Sequence, residues 1–251
     1  MNVVIIGSGN AATVLGRLIK EANHKILQVY SRTLSHAKQL AEDLGCEATD
    51  KIAAVTKEAD IYLIALSDNT LQEFHKMFKA EGKLVIHTAG SGSKDVLKNV
   101  SDRYGILYPL QTLRKEMKAP AKIPLLIEGN TKEVTSVIND FAKTISPFVY
   151  EMSEEERGKL HLAAVVVNNF SNHLFDLVYD YCKKENIDFT ILCPIIDETV
   201  ERIHNFEPKD VQTGPAKRND TLTLNKHLKW LTNYPKLKYL YLKISESIIG
   251  G

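Results

Sequence analysis

Three cysteines in 251 residues, Cys46, Cys182 and Cys193, are too few for a disulfide framework. None forms a Cys-x-x-Cys pair and the number is odd, which also excludes a structural zinc site. Long apolar runs are missing too. No stretch approaches the ~20 apolar residues needed to cross a bilayer, so no membrane partner is expected. Charge of one sign is lacking: 32 Lys and Arg stand against 31 Asp and Glu, a net charge of +1. Without a basic stripe, a nucleic-acid partner is not expected either. The chain opens directly on a strand pattern with no basic leader, so no signal peptide is expected and a cytoplasmic location follows by default. These absences leave a folded protein that acts on small molecules, with no metal expected at its site.

Short apolar runs alternate with amphipathic stretches through the first half of the chain. Val3–Ile6, Ile26–Tyr30, Ile61–Leu66, Leu84–Ile86, Gly105–Tyr108, Leu125–Ile127 and Phe148–Tyr150 read as strands. Helical spacing follows Ala11, runs from Ser35 to Leu44 with Ser35 as the N-cap, marks Leu71 to Phe78, and returns between Lys132 and Ile145. Strands apolar on both faces imply a mainly parallel sheet covered by helices on both sides. The character changes at Ser153, where Ser153 and Glu156 fit a capping box. From there the pattern is helical: one run to about Lys184, then helices around 190–206, 222–232 and 237–249, with a loop at 208–220. The expected organisation is a Rossmann-type α/β domain over residues 1–152 and an all-α domain over 153–251.

Gly7-Ser8-Gly9-Asn10-Ala11-Ala12 matches G-x-G-x-x-A, directly after an apolar strand and at the start of a helix. Gly7 allows the tight turn, Gly9 lets a pyrophosphate approach the backbone, and Ala12 lets helix and strand pack closely. The helix N-terminus offers N–H groups and the positive end of its dipole. In NAD-specific domains an acid about 20 residues further on binds the ribose 2′-hydroxyl. Here Ser31-Arg32-Thr33 occupies that place. An arginine flanked by hydroxyls suits a 2′-phosphate, so NADP(H) is the expected cofactor. Leu66-Ser67-Asp68 and Thr88-Ala89-Gly90 end the next strands and should line the same crevice.

For chemistry, His161, Asn168 and Asn172 share one face if the long helix is a regular α-helix, with Asn169 and His173 at its edge. Buried polar groups there would need partners, which a substrate would supply. His161 is the expected proton donor for hydride transfer to a carbonyl or imine. The asparagines would orient the substrate. In the loop Gln212–Asp220, Gly214-Pro215 fixes a turn, Arg218 could clamp a substrate carboxylate, and Asp220 could cap the next helix. Gln111, His87 and His227 are further polar candidates.

The segments VVIIGSGNAA, VYSRT, ADIYLIALSD, VIHTAGSGS and GILYPLQTL, with HLAAVVVNNFSNHL and QTGPAKRND later on, resemble a known family. It is the NADP oxidoreductase branch of the pyrroline-5-carboxylate reductase and 6-phosphogluconate dehydrogenase superfamily. Its first domain is similar to that of deazaflavin-dependent NADP reductases. The resemblance spans essentially the whole chain. It implies a two-domain enzyme with its active site between the domains and a homodimer formed through the helical domain. The hydroxyacid dehydrogenase relatives carry a lysine four residues before a helix asparagine. Here those positions hold Ala164 and Val165, so that mechanism does not transfer. The pyrroline-5-carboxylate reductase active-site motif is not matched at this helix either. The expected function is NADP(H)-dependent hydride transfer to or from a small carbonyl, imine or alcohol. The alternative is a dinucleotide-binding sensor without turnover, which the missing lysine favours. The glycine turn, Arg32 and the polar helix face favour the enzyme.

Overall fold

The computed structural model describes residues 1–116 and 123–250. The chain divides into two compact units, Met1–Ala164 and Val165–Gly251. The first unit runs β1 (Asn2–Ile6), α1 (Asn10–Glu21), β2 (Lys25–Tyr30), α2 (Leu34–Leu44), β3 (Glu47–Thr49), β4 (Ile61–Ile64), α3 (Asp68–Glu73), β5 (Leu84–His87), β6 (Arg103–Pro109), β7 (Leu125–Gly129), α4 (Lys132–Ile145), β8 (Val149–Glu151) and α5 (Glu154–Ala164).

Its eight strands form one sheet in the order β3-β2-β1-β4-β5-β6-β7-β8. All pairs are parallel except β6 with β7. After β1 the chain builds one side of the sheet, then crosses to build the other from β4. That reversal at β1/β4 is the switch point where α/β sheets bind ligands, at the carboxyl ends of the strands. β1 shows why the sheet is covered on both faces: Val3 and Ile5 enter one apolar cluster and Val4 and Ile6 the other. Alternate side chains on a strand point to opposite faces, so a strand of four buried aliphatics needs two cores.

Two local expectations change. The N-cap of α2 is Thr33 rather than Ser35, while Gly45 ends the helix in the left-handed region at φ 74° as its sequence suggests. The short strand β3 was not apparent from the sequence. The capping box at Ser153 forms as read: the Ser153 N–H donates to Glu156 Oε2 at 2.9 Å and starts α5.

The single α-helix expected from Ser153 to Lys184 is not what forms. α5 is followed by a π-helix at Val165–Phe170, then by α6 (Ser171–Lys184). The second unit holds that π-helix, α6, α7 (Cys193–Asn205), α8 (Thr221–Trp230) and α9 (Pro235–Gly250). Among the described residues no helix is long and apolar enough to cross a membrane.

Candidate active site

The glycine turn sits at the switch point. Gly7 has φ 124°, a region glycine favours. A Cβ placed there would lie 2.1 Å from the Ala65 carbonyl oxygen, just beyond the end of β4. Gly7 is therefore what lets β1 turn away beside β4. Gly9 is different: a Cβ there would meet nothing within 4 Å. The space over Gly9 is open, at the start of α1, where first-turn N–H groups have no partner inside the helix. That is the cradle a pyrophosphate requires. Ala12 is fully buried, as close helix–strand packing demands. Asn10 Oδ1 accepts from the Lys115 N–H at 3.2 Å, bringing the segment after β6 beside the turn.

Ser8 Oγ donates to Ser31 Oγ at 2.8 Å, tying the glycine turn to the end of β2. Arg32 and Thr33 follow, both exposed. A cavity of about 570 Å³ opens at the glycine turn, lined by Ser8, Gly9, Arg17, His36, Gln39 and Lys115 among others. Asp43 and Glu116 line it as well, and Arg17 pairs with Asp43 at 2.7 Å.

The ends of β4 and β5 close the other side. Asp68 Oδ2 accepts from Ser91 Oγ at 3.0 Å, and Ser67 Oγ bonds Thr70 Oγ1 at 2.9 Å. The Thr88 N–H donates to the Ile64 carbonyl at 3.2 Å. His87, one of the further candidates, belongs to the core: its side chain is fully buried. Its Nδ1 accepts from the Ala89 N–H at 3.2 Å, so its Nε2–H donates to the Ser93 carbonyl at 3.1 Å. Burial pushes its pKa down to about 4. The imidazole is thus a neutral brace for the turn 87–93.

The same turn is held from α5 by Arg157, the largest fully buried side chain among the described residues. Its guanidinium donates to the carbonyls of Gly90 at 3.2 Å and Gly92 at 2.8 Å, and pairs with Glu128 Oε2 at 2.8 Å. Lys94 Nζ engages the other Glu128 oxygen at 2.5 Å. Gly90 also presses on Tyr108. A Cβ at Gly90 would fall 2.7 Å from Tyr108 Cζ.

One turn after Arg157 on α5, His161 meets Tyr108 at the end of β6. Tyr108 Oη lies 2.9 Å from His161 Nδ1, and the rings stand edge to face. Both side chains are half-buried. Burial pushes the Tyr108 phenol up, so it stays protonated near neutral pH. Either charge state of the imidazole keeps the bond. A ring with a bare Nδ1 accepts the phenol proton there, and a ring that carries a proton on Nδ1, neutral or charged, donates it to the phenol oxygen. Nε2 takes no part in this bond. Sequence reading missed both Tyr108 and Arg157.

Asn168, Asn169, Asn172 and Arg218 lie in the second unit. Asn168 and Asn169 belong to the π-helix, where each residue advances less around the axis than in an α-helix. Angles reckoned at 100° per residue do not apply there, which withdraws the single-face argument. All three asparagines are exposed, which withdraws the desolvation argument too. In the loop 212–220, Gly214 adopts φ 104° and Asp220 caps α8 by accepting from the Thr223 N–H at 3.0 Å, while Arg218 is exposed. Bonds to Asp220 from Thr223, aided by the Arg218 charge, hold its carboxyl below the usual range. His227 Nδ1 bonds Tyr241 Oη at 2.7 Å, a satisfied pair inside the helical unit. Gln111 is exposed and accepts from the Thr112 N–H at 3.0 Å. Among the described residues no group of His, Cys, Asp or Glu could hold a metal.

Comparison with known proteins adds the following. Residues 123–248 match the family model described as "Domain of unknown function (DUF2520)". Residues 2–90 match that described as "NADP oxidoreductase coenzyme F420-dependent". The crystal structure of "putative NADP oxidoreductase BF3122" from Bacteroides fragilis is 37% identical, with a TM-score of 0.92 over 100% of this chain and 98% of that one. The 1-pyrroline-5-carboxylate reductase of Streptococcus pyogenes shares the fold, at 14% identity and a TM-score of 0.66 over 100% of this chain and 99% of that one. The glutamyl-tRNA reductase of Methanocaldococcus jannaschii is 22% identical over 229 residues, 86% of this chain and 57% of that protein. The chain therefore spans little more than half the length of this curated relative.

Proposed function

The chain belongs to the DUF2520 family, and we propose, with the NADP oxidoreductase match over residues 2–90 in support, that it is an NADP(H)-dependent oxidoreductase that reduces, or forms by the reverse reaction, a small carbonyl or imine. The observation that carries this reading is the Tyr108–His161 hydrogen bond, which ties a proton carrier to the ring that packs on Gly90, in the unit that holds the glycine turn. The residues that would hold the cofactor fit it. The open space over Gly9 and the start of α1 suit the pyrophosphate, and Ser31, Arg32 and Thr33 suit the 2′-phosphate. Leu66–Asp68 and Thr88–Gly90 would flank the nicotinamide half. When bound, the cofactor supplies or accepts the hydride.

The protein's own task is the proton. Substrate oxygen or nitrogen would take it from His161 Nε2. The Nδ1–H···Oη bond to Tyr108 can persist before and after that transfer, so no side chain must turn during it. The large apolar side chains left exposed on the second unit, among them Val167, Phe170 and Tyr179, support a homodimer through the helical unit. We place its work in the cytoplasm, with neither nucleic acid nor membrane as a partner.

A panel of cyclic imines, ketones and keto acids, screened by NADPH absorbance, tests the reading. His161→Phe should lower kcat by about 100-fold or more and leave the NADPH dissociation constant within about twofold. Retained turnover would remove His161 as the acid. NADPH binding with no turnover of any class would favour the sensor.

A further inference from the structure

An arginine is the last side chain expected to be fully removed from water, because its charge is costly to desolvate without an opposite charge and hydrogen-bond acceptors around it. Arg157 is 1% exposed, yet its neighbours along α5 are mostly exposed. Its side chain is directed inward to three acceptors. Two are backbone carbonyls, of Gly90 and Gly92, and the third is Glu128 on β7. The carbonyls belong to the turn that follows β5, at the ligand-binding end of the sheet. Glu128 is balanced by a second cation, Lys94, which anchors the far end of the same turn. His87 braces the turn from beneath through Ala89 and Ser93. Gly90 in turn packs on Tyr108, whose hydroxyl meets His161, four residues after Arg157 on α5. Arg157, the turn, Tyr108 and His161 thus form a closed circuit of contacts.

We propose that Arg157 is a positioning residue: its clip on Gly90 and Gly92 shapes the nicotinamide half of the cofactor site and keeps that half in register with the Tyr108–His161 pair. The adenosine half, built on Gly9, Ser31 and Arg32, does not depend on the clip. This inference rests on the cofactor reading above and adds a division of the site into two independently supported halves. A planar guanidinium can serve two carbonyls and a carboxylate at once, whereas a lysine ammonium is a point charge that cannot span them in the same geometry.

The test compares two probes on wild type and Arg157→Lys by calorimetry. NADPH carries both halves; adenosine 2′,5′-bisphosphate carries only the adenosine half. The variant should bind NADPH at least about tenfold more weakly and the bisphosphate within about twofold of wild type. The His161 ring resonances in the ligand-free variant should shift as the Tyr108 contact loosens. Gly90→Ala, which forces a Cβ against the Tyr108 ring, should give the same split and serves if Arg157→Lys does not fold. Parallel weakening of both probes would make Arg157 a support of the fold alone and overturn the proposal. Unchanged binding of both would overturn it as well. If wild type bound neither probe, the cofactor reading itself would fail, an outcome that the wild-type titrations alone reveal.

Discussion

Gly9→Ala is expected to leave the fold intact and to weaken NADPH binding by at least about tenfold, which is about 1.4 kcal/mol. The fold should tolerate the change because the new methyl group meets nothing within 4 Å and Gly9 already has an extended φ of −82°. Binding should not tolerate it, because that open space is where the pyrophosphate meets the backbone. Gly7→Ala should behave in the opposite way. Its methyl group would overlap the Ala65 carbonyl at 2.1 Å, and φ 124° is strained for any L-residue. Roughly 3 kcal/mol of stability should go with it, and binding with that. Urea unfolding and NADPH calorimetry on the two variants separate the roles. A Gly9→Ala protein that binds NADPH like wild type would show that the turn is structural only.

Stability should fall steeply between about pH 6.5 and pH 4, and His87 is the reason. The folded protein holds this imidazole neutral, with a pKa of about 4, mainly because it is buried. In the unfolded chain it takes up a proton near pH 6.5. Between those values the unfolded state binds the proton and the native state does not, so stability rises with pH. The contribution is complete above about pH 6.5, shrinks as the pH falls, and levels off below about pH 4. It amounts to roughly 3 kcal/mol in all. His87→Gln keeps a donor for the Ser93 carbonyl and cannot titrate, so its unfolding free energy should vary less across this window. The measurement is urea unfolding of both proteins at about pH 7.5 and pH 5. Equal losses in the two would show that His87 does not set the pH dependence.

Much of the fold was legible because burial on two faces leaves a plain mark. Val3–Ile6 and Ile61–Ile64 are four-residue apolar runs, and such strands can only lie inside a covered sheet. β3 left no such mark, since Glu47-Ala48-Thr49 is an edge strand of three residues, none of them buried. The reversed direction of β7 was also hidden, because strand composition does not record which way a neighbour runs. The glycine turn was readable because each small residue there answers a distance that can be stated in advance.

The proton-handling site was less legible. His161 could be singled out as a polar residue on a helix, but its partner Tyr108 lies 53 residues away and meets it only once the sheet is built. Gly90 was the available signal, a residue whose smallness makes room for a ring. Arg157 stands in the run Glu154-Glu155-Glu156-Arg157, which reads as a solvated charged turn. Only Glu128, on a strand, turns that reading around. The π-helix had a local cue: three β-branched residues, Val165 to Val167, followed by two asparagines, all poor α-helix formers.

Calorimetric titration of the purified protein with NADPH and with NADH tests the central claim most directly. Arg32 is exposed at the end of β2, where NAD-specific domains place an acid, so NADPH should bind clearly more tightly than NADH. Arg32→Ala should bring the two affinities together. Equal affinity in the wild-type protein would contradict the assignment of the 2′-phosphate to Arg32, and the absence of binding by either nucleotide would contradict the oxidoreductase account as a whole.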